Sequence, residues 1–297
     1  MTANPTLAAP SAKFSDYLEL TKPRLSLLSV LTALAAYAAA RPVFSSAQLI
    51  FVALGTSLAA GGVAVLNQWL ESDTDSQMKR TADRPIPTGK VATGSAFVLG
   101  GLMSVGALFI LFSRVNYLCA GVALLTMIAY LGWYTPAKRW SRWSTEIGAI
   151  AGALPPLIGW TAAEGRVSEL GWIFFGILFF WQIPHFMAIA WTHRRDYSAV
   201  HFPMLPVRNE KGGFVAAWSL ANSLGLLVVS LLPWALGFAT AWSGAVALVG
   251  GVGFVACAVL FLRAEGRDVA ARRLFHCSIA YLPLVLGALV ADRIINF

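Results

Sequence analysis

Long apolar segments, separated by polar connections, recur along the whole chain. A membrane-spanning helix needs roughly 20 predominantly apolar residues. Segments of that length lie at about residues 25–41, 47–68, 93–113, 117–135, 145–163, 169–191, 213–237, 241–262 and 273–294. The first segment is short, and Pro155 and Pro156 interrupt the fifth, where they are expected to break or kink the helix. The pattern predicts an all-α, polytopic membrane protein with nine transmembrane helices.

The composition supports this class and excludes others. Hydrophobic residues make up 58% of the 297 residues and charged residues 12%, whereas a soluble globular protein carries about 25% charged residues. These values exclude an ordinary soluble enzyme, a disordered chain and a disulfide scaffold. The three cysteines, Cys119, Cys257 and Cys277, lie in apolar segments and are predicted to be buried thiols. We expect a single domain over residues 1–297, with residues 1–15 as a flexible N-terminal tail.

The positions of the basic residues predict the orientation. Of the 22 Lys and Arg residues, 18 fall in alternate connections between the predicted spans. The four in the opposite set are Arg41, Arg114, Arg166 and Arg293. Because cytoplasmic connections are enriched in Lys and Arg, the N-terminus is expected in the cytoplasm and the C-terminus outside.

The same distribution accounts for the net charge of +8 without a nucleic-acid partner, since no basic helix or nucleic-acid-binding motif is present. Residues 1–13 contain neither an apolar core nor an arginine, which argues against a secretory signal and a transit peptide. We expect a multi-pass protein of the bacterial cytoplasmic (inner) membrane.

Two of the connections assigned to the cytoplasm, residues 69–92 and 192–212, are long and rich in polar residues. In the first, Asn67, Glu71 and Asp75 are spaced i, i+4, i+8, which places them within about 80° of one helix face and about 12 Å from end to end. A column of oxygen ligands suits Mg²⁺, usually with substrate phosphate completing the coordination shell. The alternative is a solvated, salt-bridged helix end, but Asn67 at membrane depth favours a functional site.

Basic residues follow this column directly. Lys79, Arg80 and Arg84 lie in the same connection, and cations beside metal-binding carboxylates are typical of a diphosphate site. Lys138 and Arg139 follow the fourth predicted span, where they could equally be simple anchors at the cytoplasmic face.

A second polar group lies in and after the sixth predicted span. Gln182 and His185 flank Pro184, which frees a backbone carbonyl that must be buried in protein or line a wet cavity. We predict that both side chains line a cavity; the alternative is a core histidine that hydrogen-bonds the freed carbonyl. Asp196 follows in the next loop and, taken alone, is a salt-bridged loop residue.

These segments carry a family resemblance. The motif N-x-x-x-E-x-x-x-D followed by M-x-R-T-x-x-R-P, over residues 67–85, resembles the first aspartate-rich motif of the UbiA-type intramembrane aromatic prenyltransferases. The branch that it resembles is that of the protohaem IX farnesyltransferases, or haem O synthases. The motifs that indicate this branch are T-K-P-R, Y-T-P-x-K-R, A-G-A-x-P-P-x-x-G-W, W-Q-I-P-H-F and D-Y-x-x-x-x-x-P-M-L-P.

The resemblance implies a nine-helix bundle around a central cavity, capped by the two long cytoplasmic loops. It also implies transfer of farnesyl from farnesyl diphosphate to a vinyl group of haem B, with addition of water, to give haem O. It assigns Mg²⁺ and diphosphate binding to Asn67, Glu71 and Asp75, and suggests Asp196 as a partner carboxylate.

Further roles follow from the same resemblance. The resemblance implies that diphosphate is contacted by Lys79, Arg80, Arg84, Lys138 and Arg139. It implies that haem is contacted by His185 and Gln182. Expected partners besides the two substrates are membrane lipid and a haem A synthase or an oxidase.

The chain departs from the family pattern at several positions. Glu71 stands where the family usually has Asp, Ser72 stands where it usually has Arg, and no acid follows Asp196 four residues later. Two other functions stay open: a UbiA-type enzyme that prenylates a quinone precursor, and a transporter. A transporter would spread polar residues through several spans, whereas the acids here gather at one membrane face.

Overall fold

The computed structural model of the chain describes residues 12–40, 45–209 and 211–297. The part of the chain that it describes is helical and contains no β-strand. Arg41 and residues 1–11 of the predicted N-terminal tail lie outside the described residues. The all-α prediction is confirmed.

Within the described residues, eight helical segments are long and apolar enough to cross a membrane. They are α2 (Pro23–Ala40), α3 (Ser46–Leu70), α5 (Thr93–Arg114), the segment Tyr117–Trp140, α10 (Glu169–Thr192), α13 (Gly213–Ala235), α14 (Ala241–Leu262) and α15 (Arg267–Asn296). Most bounds lie within three residues of those predicted from the apolar segments. The last helix begins earlier than expected, because Gly266 adopts a positive φ and ends the preceding connection.

The segment Tyr117–Trp140 is not one regular α-helix. It consists of α6 (Tyr117–Ile128), a π-helical turn (Ala129–Tyr134) and α7 (Thr135–Trp140). A π-helical turn widens the backbone and changes the direction of the side chains that follow, and such turns are frequent at functional sites.

The fifth predicted span is broken, as expected. It forms α8 (Ser144–Ala153) and α9 (Pro155–Glu164), which meet at Leu154. Proline suits the first turn of a helix because its missing N–H has no partner there, so the Pro155–Pro156 pair ends one helix and starts the next. Neither half is long enough to span a membrane alone, and the count of nine transmembrane helices stays a prediction.

Four short helices lie in the connections that carry most of the basic residues. They are α1 (Phe14–Leu20), α4 (Ser72–Asp75), α11 (Arg194–Ala199) and α12 (Leu205–Arg208). Three of them, α4, α11 and α12, belong to the long polar connections that follow α3 and α10, and these connections form the cap of the bundle.

The long helices pack in two neighbouring groups. In the first, α3 lies against α2 and α5, and α2 lies against α9. In the second, α13, α14 and α15 pack in sequence, and α10 contacts both α13 and α15. The α2–α9 contact is close, because a Cβ added at Gly159 would overlap the carbonyl oxygen of Ala33.

A cavity lies within the first group, between α2, α3, α6, the π-helical turn, α8 and α9. The space between these elements amounts to about 750 Å³, including its open mouth. Small residues such as Ala59, Ala60, Ala123 and Gly152 form much of its wall, and Lys22 lies at one end. The cavity is therefore apolar along its length and charged at the capped end.

We expect Gly159→Ala to lower the stability of the protein by about 1–3 kcal/mol, the usual cost of overpacking, since the added methyl group meets the backbone of α2. Thermal unfolding of the purified protein in detergent measures the effect. Gly121→Ala in α6 is the control, because a Cβ there meets nothing within 4 Å and alanine is favoured over glycine in a helix by about 0.5–1 kcal/mol. Equal melting temperatures for the two variants would contradict the close packing of α2 on α9.

Candidate active site

The three predicted ligands, Asn67, Glu71 and Asp75, are buried next to one another beneath the cap. Helix α3 ends at Leu70, and the short helix α4 begins at Ser72 after Glu71, whose backbone departs from helical geometry. The backbone N–H of Glu71 donates to the carbonyl of Asn67 at 3.0 Å, and that of Asp75 to the carbonyl of Glu71 at 2.8 Å. The i, i+4, i+8 spacing therefore persists through the bend, and exposures of 1%, 6% and 4% show that solvent does not reach the column.

Two cations neutralise the buried carboxylates. Lys138 Nζ lies 2.8 and 3.1 Å from the two carboxylate oxygens of Glu71. Arg84 Nη1 donates to Asp75 Oδ2 at 2.6 Å. Because a buried, unpaired carboxylate costs several kcal/mol, these contacts allow the column to exist in the folded protein. The predicted basic residues Lys138 and Arg84 are thus placed beside the ligands.

Lys22 completes this arrangement and was missed as a site residue by the sequence analysis. Its Nζ donates to Asn67 Oδ1 at 3.4 Å, and its backbone has a φ of 45° immediately before Pro23. Burial lowers the pKa of Lys22 to about 7, and the positive charges of Arg84 and Lys138 act in the same direction. The available signal was a lysine directly before the proline that starts the first span.

We call Asn67, Glu71, Asp75, Lys22, Arg84 and Lys138 the buried cluster. Its side chains are oriented by hydrogen bonds that lead to the π-helical turn after α6. Asn67 Nδ2 donates to Glu71 Oε2 at 3.0 Å and to Thr135 Oγ1 at 3.1 Å. Thr135 Oγ1 in turn donates to the carbonyl of Tyr130 at 2.9 Å. These contacts orient the amide so that its oxygen faces Lys22.

The other predicted basic residues lie outside the cluster. Arg139 forms a bidentate pair with Asp73, at 2.9 and 2.7 Å, and this hydrogen-bonded pair lowers the pKa of Asp73. The pair is largely exposed, and exposed pairs contribute little to stability. Asp73 points away from the column, as the helical spacing predicts. Lys79 is exposed on the loop.

The second loop meets the first through Arg80, which lies over the ring of Tyr197 at 5.4 Å and donates to its hydroxyl at 3.2 Å. Asp196 is adjacent, on α11, but its carboxylate faces His193 at 3.5 Å and is 35% exposed. The structure therefore brings the loop of Asp196 to the first loop without placing Asp196 in the buried cluster. Among the described residues, no three His, Cys, Asp or Glu side chains converge as a metal-binding group.

His185 is not among the side chains that line the cavity between α2, α3, α6, α8 and α9, and its predicted contact with haem stays a prediction. Its Nδ1 lies 2.6 Å from Ser278 Oγ on α15, and its ring stacks between Trp181 and Phe275. Helix α10 packs against both α8 and α15, and His185 lies on the side of α15. Gln182 is closer to the cavity, since it packs against Gly152 of the cavity wall and donates to the carbonyl of Leu178 at 2.9 Å.

The arrangement has a definite chemical capability. The column offers two carboxylates and an amide oxygen, which is the donor set that a hard divalent cation prefers. Arg84 and Lys138 supply positive charge for an anion in the same place, and Lys22, whose pKa is about 7, can take up a proton beside a bound anion. The cavity beneath offers a mostly apolar space. The site therefore suits a ligand with a polyanionic head and a long apolar tail.

Comparisons with known proteins agree with this geometry. Residues 27–279 match the model of the UbiA prenyltransferase family. A relative from Opitutus terrae, named Protoheme IX farnesyltransferase, is 67% identical over 97% of this chain and 98% of its own length.

Two solved structures share the fold at low identity. A digeranylgeranylglyceryl phosphate synthase is 15% identical with a TM-score of 0.81, over 94% of this chain and 98% of that protein. A UbiA homologue from Archaeoglobus fulgidus, bound to DMAPP and Mg²⁺, is 12% identical with a TM-score of 0.69, over 95% and 100%. Together with the match over most of its length, these findings show that the chain belongs to the UbiA prenyltransferase family.

Proposed function

We propose that this protein transfers a farnesyl group from farnesyl diphosphate to a vinyl group of haem B, with addition of water, and so forms haem O. The observation that carries the proposal is the buried cluster at the mouth of an apolar cavity. The relative from Opitutus terrae, whose name states this activity, supports the choice of substrates.

The buried cluster suits the diphosphate end of the reaction. Asn67, Glu71 and Asp75 would hold Mg²⁺ together with the substrate diphosphate, because their oxygens are buried and close together. When bound, Mg²⁺ supplies positive charge that stabilises the departing diphosphate. Lys138 and Arg84, which bind the carboxylates here, lie where they can turn to diphosphate oxygens.

The apolar cavity suits the other half of the substrate. Loss of diphosphate from an allylic carbon leaves a cation that water would trap before it met a carbon nucleophile. A cavity walled by small apolar side chains excludes bulk water and accommodates the farnesyl chain. Lys22 lies at the junction of the cavity and the cluster, so the reacting carbon is expected near it.

The remaining predicted roles are extensions of this proposal. Asp196 is the partner carboxylate of the second loop, and it reaches the diphosphate only if α11 moves towards the cluster. Lys79, Arg80 and Arg139 would assist from the rim of the site. Gln182 and His185 would contact haem, and a haem A synthase or an oxidase would receive the product.

The two other functions make different demands. A transporter needs polar groups along a path through the bundle, whereas the cavity wall is mostly apolar and the charges gather at one end. An enzyme that prenylates a quinone precursor would use the same cluster and cavity, so only the product separates it from the proposal.

The test is incubation of the purified protein with labelled farnesyl diphosphate, Mg²⁺ and either haem B or an aromatic quinone precursor. Labelled haem O from the first mixture supports the proposal. A labelled quinone precursor alone would support the alternative enzyme, and recovery of unreacted farnesyl diphosphate from both would refute an enzyme of either kind. The haem extracted from cells expressing the chain provides the matching measurement in vivo.

For the carboxylates, we expect Asp75→Asn to reduce turnover on the order of 100-fold or more, since one charge of the metal and diphosphate site is lost. Glu71→Gln should be similarly severe, and Glu71→Asp should keep substantial activity because it restores the usual residue of the family. The measurement is the rate of haem O formation at limiting Mg²⁺.

Asp73→Asn is the matched control, because Asp73 lies two residues before Asp75, points away from the column and forms an exposed pair with Arg139. It should leave the rate near that of the unaltered protein. Normal turnover of both Asp75→Asn and Glu71→Gln would show that the column is only a salt-bridged helix end and not a metal site.

For the orientation, we propose a cytoplasmic N-terminus and an external C-terminus in the inner membrane, with the capped end of the bundle in the cytoplasm. Reporter fusions after Arg84 and Lys211 should show the cytoplasmic side, and those after Arg166 and Arg293 the outer side. Cytoplasmic signals after both Arg166 and Arg293 would mean that α8 and α9 enter and leave the membrane on the same side.

For haem, we expect His185→Ala to lower both haem B affinity and haem O formation, with farnesyl diphosphate binding unchanged. Ser278 occupies Nδ1 and fixes the ring, which leaves Nε2 as the nitrogen for haem iron. Titration with haem B measures the affinity, and His276→Ala, at an exposed position on α15, is the control. Unchanged haem affinity would remove His185 from the haem site.

A further inference from the structure

Tyr130 is the one aromatic residue among the cavity-lining side chains, and the mechanism above gives it no role. It lies in the π-helical turn between α6 and α7. Within the described part of the chain its hydroxyl makes no hydrogen bond, although the carbonyl of the same residue accepts from Thr135. A phenol hydroxyl at such depth normally has a partner, so the cavity offers a position for a ligand beside it.

The surroundings of Tyr130 place its hydroxyl at the boundary between charge and apolar space. The carbonyl of Tyr130 accepts from Thr135 Oγ1, which in turn accepts from Asn67 of the buried cluster. Its ring meets Tyr134 edge to face, with centroids 5.1 Å apart, and Lys138 Nζ lies over the same Tyr134 ring at 4.5 Å. Tyr130 thus lines the cavity, and its immediate neighbours contact the buried cluster.

Other hydroxyls of the cavity are less suited to hold a ligand near the cluster. Ser26 and Thr126 already donate to the carbonyls of Thr21 and Val122, at 2.7 and 2.8 Å. Thr56 has no partner for its hydroxyl among the described residues, but it lies 11 residues before Asn67 on α3, or about 16 Å deeper along the helix. Ser29 also lines the cavity, but it lies seven residues after Lys22 on α2, about 10 Å along the helix. Among the described hydroxyls of the cavity, that of Tyr130 combines the lack of a hydrogen-bond partner with neighbours that contact the buried cluster.

We propose that the Tyr130 hydroxyl holds the water molecule that is added during the reaction; this inference rests on the proposed function. The C–O bond of farnesyl diphosphate breaks, and the terminal vinyl carbon of haem B forms a bond with the freed allylic carbon. The positive charge then lies on the vinyl carbon attached to the porphyrin. The water held by Tyr130 bonds to that carbon and gives one proton to the diphosphate, so that haem O and protonated diphosphate leave.

The product formed from this cation distinguishes the proposal from other roles of Tyr130. Without a positioned water, the same cation loses a proton and forms an alkene that is lighter than haem O by one water. The ratio of the two products reports where the water was held, and it does not depend on how much protein is folded.

The experiment compares Tyr130→Phe with the unaltered full-length protein, given farnesyl diphosphate, Mg²⁺ and haem B, with products separated and weighed by mass spectrometry. Phenylalanine keeps the ring against Tyr134 and removes only the hydroxyl. We expect the ratio of haem O to the dehydrated product to fall on the order of tenfold, equivalent to about 1.4 kcal/mol. Tyr281→Phe is the control, since it removes a buried hydroxyl bound to Ser230 in the other helix group, and its product ratio should stay unchanged.

Three results would overturn the inference. An unaltered product ratio at a normal rate would show that Tyr130 holds no reacting water. A raised KM for farnesyl diphosphate with an unaltered product ratio would show that the hydroxyl binds the diphosphate instead. A slower reaction with an unaltered product ratio would show that Tyr130 has only a structural role in the site. Failure of the unaltered protein to farnesylate haem at all would instead refute the proposed function.

Discussion

Charge compensation between the column of Asn67, Glu71 and Asp75 and its surrounding cations is the interaction on which the capped end of the bundle depends. Carboxylates at exposures of a few per cent would be too costly to bury alone. Lys138 and Arg84 neutralise them from two different segments, and Lys22 adds a third cation from the start of the first long helix. The cluster therefore joins the N-terminal helices, the first long loop and the segment after α6. The cluster also suits an anion. If Mg²⁺ bound the carboxylates, Lys138 and Arg84 would no longer need to pair with them and could bind the anion.

The departures from regular helix gather around the cavity. The π-helical turn of residues 129–134 sets the direction of Tyr130 and places Thr135 against Asn67. The break at Leu154 divides α8 from α9 on the opposite wall. Regular helices would bring their side chains together and close the space, whereas these irregular segments, with small residues such as Ala59 and Gly152, leave it open. Irregular backbone in a membrane protein is tolerated where it lines such a cavity.

The cap is held more loosely than the cluster beneath it. Arg80 contacts Tyr197 across the two loops, and the pair of Arg139 with Asp73 is exposed. Exposed polar contacts of this kind contribute little to stability, whereas Asp75 and Glu71 of the cluster pair with Arg84 and Lys138 at nearly buried positions. This difference suits a site that must admit a charged substrate from the aqueous side and then exclude water.

The sequence by itself determined most of the architecture. Apolar segments of spanning length located the long helices, the Pro155–Pro156 pair located the break, and the i, i+4, i+8 spacing placed Asn67, Glu71 and Asp75 on one face, because all three signals act over a few neighbouring residues. Only the tertiary structure decided which cations reach that face. Lys22 lies 45 positions from Asn67, and Lys138 lies 67 from Glu71, distances over which no local periodicity operates. The same limit applies to His185, since its hydrogen bond to Ser278, 93 positions away, follows from helix packing and not from its neighbours Gln182 and Pro184. It also explains Tyr130, whose position in the cavity follows from a π-helical turn that leaves no mark in the apolar pattern.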